Sequence, residues 1–199
     1  MTEVALIRHG STFWNKEGRM QGHSENPLDD EGWSQARKLA ERLSSEHWDV
    51  LISSDLQRAR QTAAALLEKL ELSEIRYDRR LREMDRGLAA GTTEEERIAR
   101  WGPDWRRLAD RIGIESDDEA AQRGSGLLRE VAGRYPGMKI LLISHGMILR
   151  NALRGILPEL DIAEPLRNAS VTRLRHDGSG WVCERYNCTS HLEERGEIG

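Results

Sequence analysis

Two histidines of this chain stand where a chemical step needs them. Arg8-His9-Gly10 ends the apolar run Val4-Ala5-Leu6-Ile7, and Ser144-His145-Gly146 ends the run Ile140-Leu141-Leu142-Ile143. A third run, Val50-Leu51-Ile52, ends in Ser53-Ser54 and leads on to Arg58. Phosphoryl transfer through a covalent intermediate needs a nucleophile, a cationic cradle for the phosphate oxygens, and an acid for the leaving oxygen. Neutral His9 would attack phosphorus. Arg8 and Arg58 would disfavour its protonated form and hold phosphate oxygens by charge-assisted hydrogen bonds, with His145 completing the cradle as a cationic donor. Glu83, in its protonated form, would protonate the leaving alkoxide and then, ionised, activate the water that hydrolyses the phosphohistidine. Either histidine alone is more simply a buried structural residue; the pair, with Arg58 at a third strand end, favours the catalytic reading.

Val- and Ile-rich runs of this length read as strands covered on both faces, and helix signals follow each one, so the unit is strand, turn, helix. The expected fold is α/β, a three-layer sandwich whose mostly parallel central sheet carries helices on both faces, with ligands beyond the carboxyl ends of the strands. Residues 11–30 read as a long loop with a short helix near Trp14. Trp33, Ala36, Leu39, Ala40 and Leu43 predict a helix from about Asp30 to Ser45. Ser54 and Gln57 have capping-box spacing before the stripe Leu56, Ala59, Ala63, Leu66, Leu67 and Leu70, which puts Arg58 and Arg60 in the first turns of a helix. Cations there oppose the helix dipole, so a bound anion at Arg58 and two solvated arginines are rival readings.

Glu74 to Tyr77 reads as a short strand. Residues 92–124 are charged, hold Trp101, Trp105 and a Gly102-Pro103 break, and read as short helices around a loop, an insertion over the active site. The two tryptophans either line a pocket for the leaving group or make a core or subunit contact. Leu127, Leu128, Val131 and Tyr135 predict a helix stopped by Pro136-Gly137, Met147 to Leu157 a partly buried helix, and Asp177-Gly178 an edge hairpin that would permit a homodimer. One domain is expected over residues 1–192, with 193–199 a disordered tail.

The chain has 199 residues, with 30 Lys and Arg against 34 Asp and Glu, a formal charge of −4. That balance argues against nucleic acid or an anionic membrane as partner and for a small substrate entering a locally positive pocket. No stretch approaches membrane-spanning length, and the first strand begins at once, so a cytoplasmic location is expected. Cys183 and Cys188 fall on opposite faces of a strand-like segment, which disfavours a disulfide between them. Both are expected to be reduced packing residues with no neighbours that activate a thiol.

The residues also form ordered blocks. Arg8-His9-Gly10, Thr12 and Asn15, then Gly18-Arg19-Met20-Gln21-Gly22, then Ser53-Ser54-Asp55-Leu56 with Arg58-Ala59 and Gln61-Thr62-Ala63, resemble successive signatures of the histidine phosphatase superfamily, in its phosphoglycerate mutase-like branch. Glu83 with Gly87, Ser144-His145-Gly146, and Asn168 with Ser170 continue the resemblance over nearly the whole chain. It implies His9 as the phosphorylated nucleophile, Glu83 as proton donor, Arg8, Asn15, Arg58 and His145 as phosphate pocket, and Gln21 and Gly22 at the substrate's border. It implies no metal and no cofactor.

The chain departs from the family in two places. Ala89-Ala90-Gly91 stands where relatives often have Trp-Glu-Gly, and Asp85 is a fallback acid, although the spacing to Gly87 favours Glu83. Mutases of the family carry a long, Lys-bearing insertion between acid and second histidine, whereas here Glu94-Glu95-Glu96 follows the acid block. The reading favoured is a metal-independent phosphatase. The alternatives are a phosphoglycerate mutase and a non-catalytic phosphoryl-binding regulatory module.

Overall fold

A computed structural model describes residues 1–193. Its sheet has six strands in the order β3-β2-β4-β1-β5-β6: β1 Thr2–Arg8, β2 Val50–Ser53, β3 Arg76–Tyr77, β4 Lys139–Ser144, β5 Val171–His176 and β6 Trp181–Cys188. β1, β2, β3 and β4 run parallel, and β5 and β6 add antiparallel to one side as the edge hairpin. The apolar runs are continuous because both faces are covered. Val4, Leu6, Val50, Ile52, Ile140 and Leu142 pack under helices α5 (Asp117–Arg134) and α6 (Gly146–Ile156). The alternate residues Ala5, Ile7, Leu51, Leu141 and Ile143 pack under α2 (Asp30–Leu43) and α3 (Gln57–Leu67). Full burial of one such side chain is worth roughly 1.5–3 kcal/mol, so a polar residue at any of these positions would be selected against by stability alone. Two short helices, α1 (Phe13–Lys16) and α4 (Glu94–Trp101), lie outside this sandwich.

Register brings the strand ends together. Arg8 pairs with Ser144 across β1 and β4, and Ser53 with Ile143 across β2 and β4, so the next residues, His9, His145 and Ser54, share one rim. Behind the rim the chain crosses α2 at van der Waals limits. A Cβ on Gly10 would lie 2.6 Å from the Gly32 carbonyl oxygen, and one on Gly32 2.1 Å from that of Ser11. Only glycine is admitted at either position, and that seats the loop after His9 directly on the first turn of α2.

Several local expectations are corrected. Ser54 and Gln57 form no capping box: Leu56 is the N-cap of α3 without a side-chain bond, and the Gln57 N–H donates instead to the Glu25 carboxylate at 3.0 Å. Ser54 still belongs to the strand end, and its hydroxyl is engaged by His145 and the Leu56 N–H. Helix α5 starts well upstream of Leu127, capped by a reciprocal Ser116–Glu119 pair, so residues 117–124 are core helix rather than part of an insertion. Gly124 makes this contact close, since a Cβ there would sit 2.7 Å from the Ala152 Cβ of α6.

Cys183 packs against the α5–α6 side of the core and both cysteines are free, but Cys188 has the activating neighbours that were not expected. Burial would raise its thiol, yet hydrogen bonds from Ser190, Arg185 and Arg42 bring it down to about 6. Of the tail, residues 194–199 lie outside the described residues.

Candidate active site

His9 is 2 % exposed at the end of β1. Its Nδ1 lies 2.7 Å from the Gly10 carbonyl oxygen, which can only accept, so Nδ1 carries the proton and Nε2 keeps its lone pair. Burial, then the nearby Arg58 and Arg8 charges, hold this imidazole well below its usual range against the opposing Gly10 bond. The ring is therefore neutral, and its unprotonated Nε2 accepts a hydrogen bond from Arg58 Nε at 3.3 Å.

Arg58 is fully buried and has no carboxylate partner among the described residues. Its remaining donors bind the carbonyl oxygens of Gly22 at 2.8 Å and Ser24 at 3.0 Å. Burial lowers its pKa to about 10, with Glu83 and Glu25 opposing and Arg8 adding to the shift. Its burial rules out the solvated reading of Arg58 at the start of α3, and a buried guanidinium satisfied by neutral groups keeps a charge that an anion can pair. Arg8 donates Nη1 to the Leu166 carbonyl, and its Nε is buried without a partner.

Asn15 borders the same cavity. Its Oδ1 accepts from Thr12 and from Asn168 Nδ2, the latter at 3.2 Å, which turns the Asn15 amide N–H donors outward. Asn168 also binds the His9 carbonyl oxygen at 3.1 Å, so this late loop positions both residues.

His145 stands beside His9 with ring centroids 5.1 Å apart, fully buried behind the open cavity rather than lining it. Its expected cationic state is not found: burial, then Arg58, His9, Arg8 and His23, hold it well below the ordinary imidazole value. Nε2 lies 2.8 Å from the Ser54 hydroxyl, and Nδ1 is buried without a partner. In the tautomer in which Ser54 donates to Nε2, Nδ1 carries a proton that no atom of the described residues accepts.

Glu83 is half-buried and clamped by the N-terminus of α6. Its Oε1 accepts from Met84 N at 2.9 Å and Ile148 N at 3.0 Å, and its Oε2 from Met147 N at 3.2 Å. One oxygen thus retains a lone pair for proton transfer. Sequence reasoning missed this clamp, whose signal was the Gly146 that opens a helix straight after the second histidine. Asp85 is exposed and binds the Gly87 N–H, away from the cavity.

The cavity these residues share measures about 160 Å³ and is also bordered by Gln21, Gly22, Arg19, Met20 and Arg86. Gln21 is buried with Oε1 unpartnered, and Gly22 has φ +50°, the left-handed conformation that glycine tolerates. Trp105 does not border it. That side chain is 2 % exposed, packs on Ala89 and Ile112, and is sandwiched by Arg97 at 4.9 Å and Arg106 at 4.4 Å. Trp101 packs against the same cluster, so the packing reading of both tryptophans holds. Ala89 stands fully buried in that cluster.

A neutral, lone-pair-bearing histidine beside an unneutralised buried arginine has the chemistry to accept a phosphoryl group. Residues 4–189 match the family model of the histidine phosphatase superfamily (branch 1). The chain belongs to that superfamily. It is 32 % identical to a metal-independent phosphoserine phosphatase of Arabidopsis thaliana over 98 % of this chain and 85 % of the relative. It is 36 % identical to a probable phosphoglycerate mutase of Cronobacter sakazakii over 97 % and 96 %. Among solved structures, mycobacterial glucosyl-3-phosphoglycerate phosphatase in complex with VO3 superposes with a TM-score of 0.82 at 31 % identity, covering 94 % of this chain and 98 % of that one. This member of the superfamily is a phosphatase. Among the described residues no helix is long and apolar enough to cross a membrane.

Proposed function

We propose that the chain is a metal-independent phosphatase that hydrolyses a small phosphomonoester through a phosphohistidine on His9, with Glu83 as general acid and then general base. The observation that carries this is the hydrogen bond from His9 Nδ1 to the Gly10 carbonyl at 2.7 Å, which keeps the lone pair on Nε2; that lone pair accepts from Arg58 Nε at 3.3 Å and is released for in-line attack when the guanidinium turns to the substrate phosphate. Substrate oxygens would take up the guanidinium of Arg58, the spare donors of Arg8 and Asn15, and the orphaned Nδ1 proton of His145. The His9 lone pair forms the N–P bond as the P–O bond to the leaving alcohol breaks, and Glu83 gives that oxygen its proton. Water then attacks phosphorus, Glu83 takes one of its protons, and the N–P bond breaks to return neutral His9 and free phosphate.

The reading includes one catalytic domain over residues 1–192, with residues 92–116 as a cover on the leaving-group side, held by Arg19 bridging Gly91 and Glu96. It includes a cytoplasmic location, in keeping with two free thiols.

The test is phosphate release from a panel of phosphomonoesters in EDTA, paired with His9→Ala and with trapping of an acid-labile phosphoprotein. Turnover in EDTA and a loss of at least about 10³-fold in the variant are expected, as for removal of other catalytic nucleophiles. Substantial activity in His9→Ala would overturn the nucleophile. The relative named as a probable phosphoglycerate mutase supports a second reading, a mutase, which predicts phosphate exchange between phosphoglycerates on addition of bisphosphate.

A further inference from the structure

Four arginines border the catalytic cavity: Arg8, Arg19, Arg58 and Arg86. Arg19 is neutralised by Glu17 at 2.8 Å and Glu96 at 2.9 Å. Arg8 and Arg58 sit next to His9 and belong to the phosphate. Arg86 is different. Among the described residues its guanidinium has neither an ion pair nor a hydrogen bond, although nearly every other half-buried arginine around it has one. Arg82 is held by Asp55 at 2.6 Å and Arg123 by Glu115 at 2.7 Å, both in the larger groove alongside.

The stem of Arg86 is fixed. Its backbone bridges to Ile114, and its Cβ and Cγ crowd Gly22 so closely that a Cβ on Gly22 would lie 3.0 Å from Cγ. The Gly22 carbonyl in turn receives Arg58 Nη2 at 2.8 Å. The unpaired charge is thus mounted on the same turn that holds the phosphate-facing arginine.

Charge balance says what it awaits. Arg8, Arg58 and Arg86 bring three positive charges that no acid among the described residues pairs, and the only carboxylate among the described residues lining the cavity is Glu83. A phosphomonoester dianion offsets two of them. While Glu83 carries the proton it is to donate, one positive charge is left over, and Arg86 is the lining guanidinium with neither an ion pair nor a hydrogen bond among the described residues. The cavity of about 160 Å³ equals roughly five liquid-water volumes, so a second anion must lie within a few bonds of the phosphoryl group to reach it.

Resting on the phosphatase reading above, we propose that Arg86 is the specificity-determining residue for the leaving group, and that it selects phosphomonoesters whose alcohol carries a carboxylate close to the phosphate-bearing carbon. A guanidinium takes both oxygens of a carboxylate in a forked, charge-assisted pair, and Arg86 has its donors free to do so. A hydroxyl in the same place would leave that charge uncompensated.

The experiment compares 3-phosphoglycerate with glycerol 3-phosphate, two substrates that differ in a carboxylate against a hydroxymethyl group. The full chain should favour the carboxylate by at least about tenfold in kcat/KM, the equivalent of one charge-assisted pair. Arg86→Gln should bring that ratio close to one, and Arg86→Lys should restore part of it. A ratio near one in the unaltered chain, or a preference that survives Arg86→Gln, overturns the proposal. Binding of both compounds to His9→Ala, by calorimetry, reads the same ratio without turnover. A chain that hydrolyses neither compound nor an aryl phosphate, yet binds the carboxylate form tenfold tighter only while Arg86 is present, would sink the phosphatase reading and keep this one.

Discussion

The strand-end rim and the loop wall opposite it solve different problems with different materials. On the rim, His9, His145 and Arg58 are each at most 2 % exposed, delivered by parallel strands and a helix start whose register is set by the core. On the wall, Met20, Gln21, Arg86 and the stretch after Gly87 are carried by loops and short 3-10 turns, tied by single side-chain bonds such as Arg19 to the Gly91 carbonyl at 2.7 Å. A phosphoryl group has one shape, and a rigid, dry, positively charged rim suits it. Leaving groups differ, and loops can change without disturbing the sheet. Glu83 belongs to the wall by sequence and to the rim by attachment, since two of the three N–H groups that hold it open α6.

That double membership gives the largest expected effect. Glu83→Gln keeps the shape and loses the proton, so hydrolysis of alkyl phosphates should fall by about 10²–10⁴. A nitrophenyl phosphate, whose leaving group needs no proton, should lose much less in the phosphorylation step. Rapid-quench measurement of that step on both substrates checks it. Equal losses would mean that Glu83 only supports the rim, and the contrast between the regions would lose its bridge.

Arg58→Lys sharpens the contrast from the other side. Lysine supplies one charge but cannot serve His9, Gly22 and Ser24 together as the guanidinium does. Loss of about 10²–10³ in kcat/KM is expected, by analogy with removal of an oxyanion donor, and by the same factor for every leaving group. Steady-state kinetics over several substrates reads this directly. A change in the ranking of substrates would show that the rim also selects alcohols, which the present division denies.

The rim was legible in the sequence because its signals are regular. An apolar run that stops at Arg-His-Gly or Ser-His-Gly announces both a buried strand and what stands at its end, and the alternation of Val4, Leu6 against Ala5, Ile7 is the two-sided core itself. What failed to show was interaction between distant segments. Ser54 had the right neighbour for a capping box, but His145, brought beside it at the end of the adjoining strand, engages its hydroxyl. Cys188 was missed for a reason partly local: a strand-like pattern does not show that Ser190 and Arg185 turn onto its sulfur, and the further donor, Arg42, comes from a helix far away in sequence. Trp105 stayed open between pocket wall and packing because nothing in its own segment told of Ala89 beneath it. The wall is made almost wholly of such contacts, and none of them leaves a pattern in its own segment.

The smallest effect tests whether the rim's dryness carries a stability penalty. His9 and His145 are both held well below the imidazole value of 6.5, in each case by burial first and arginine charge second. Unfolded, each binds a proton as pH drops through about 6.5; folded, neither does until far lower pH. The unfolded state therefore holds more protons below that pH, and stability must fall as the solution is acidified, while above it both states are neutral and these groups contribute no slope. Each histidine can add at most about 1.4 kcal/mol per pH unit to that decline. Denaturant midpoints measured between pH 7.5 and 5 should show it, and His145→Asn should make the slope shallower by up to that amount. Inorganic phosphate should flatten it too, because a bound dianion favours the protonated rings that the empty rim rejects. A slope indifferent to both changes would mean that the two rings keep ordinary proton affinity, and that the rim is wetter and less charged than its burial implies.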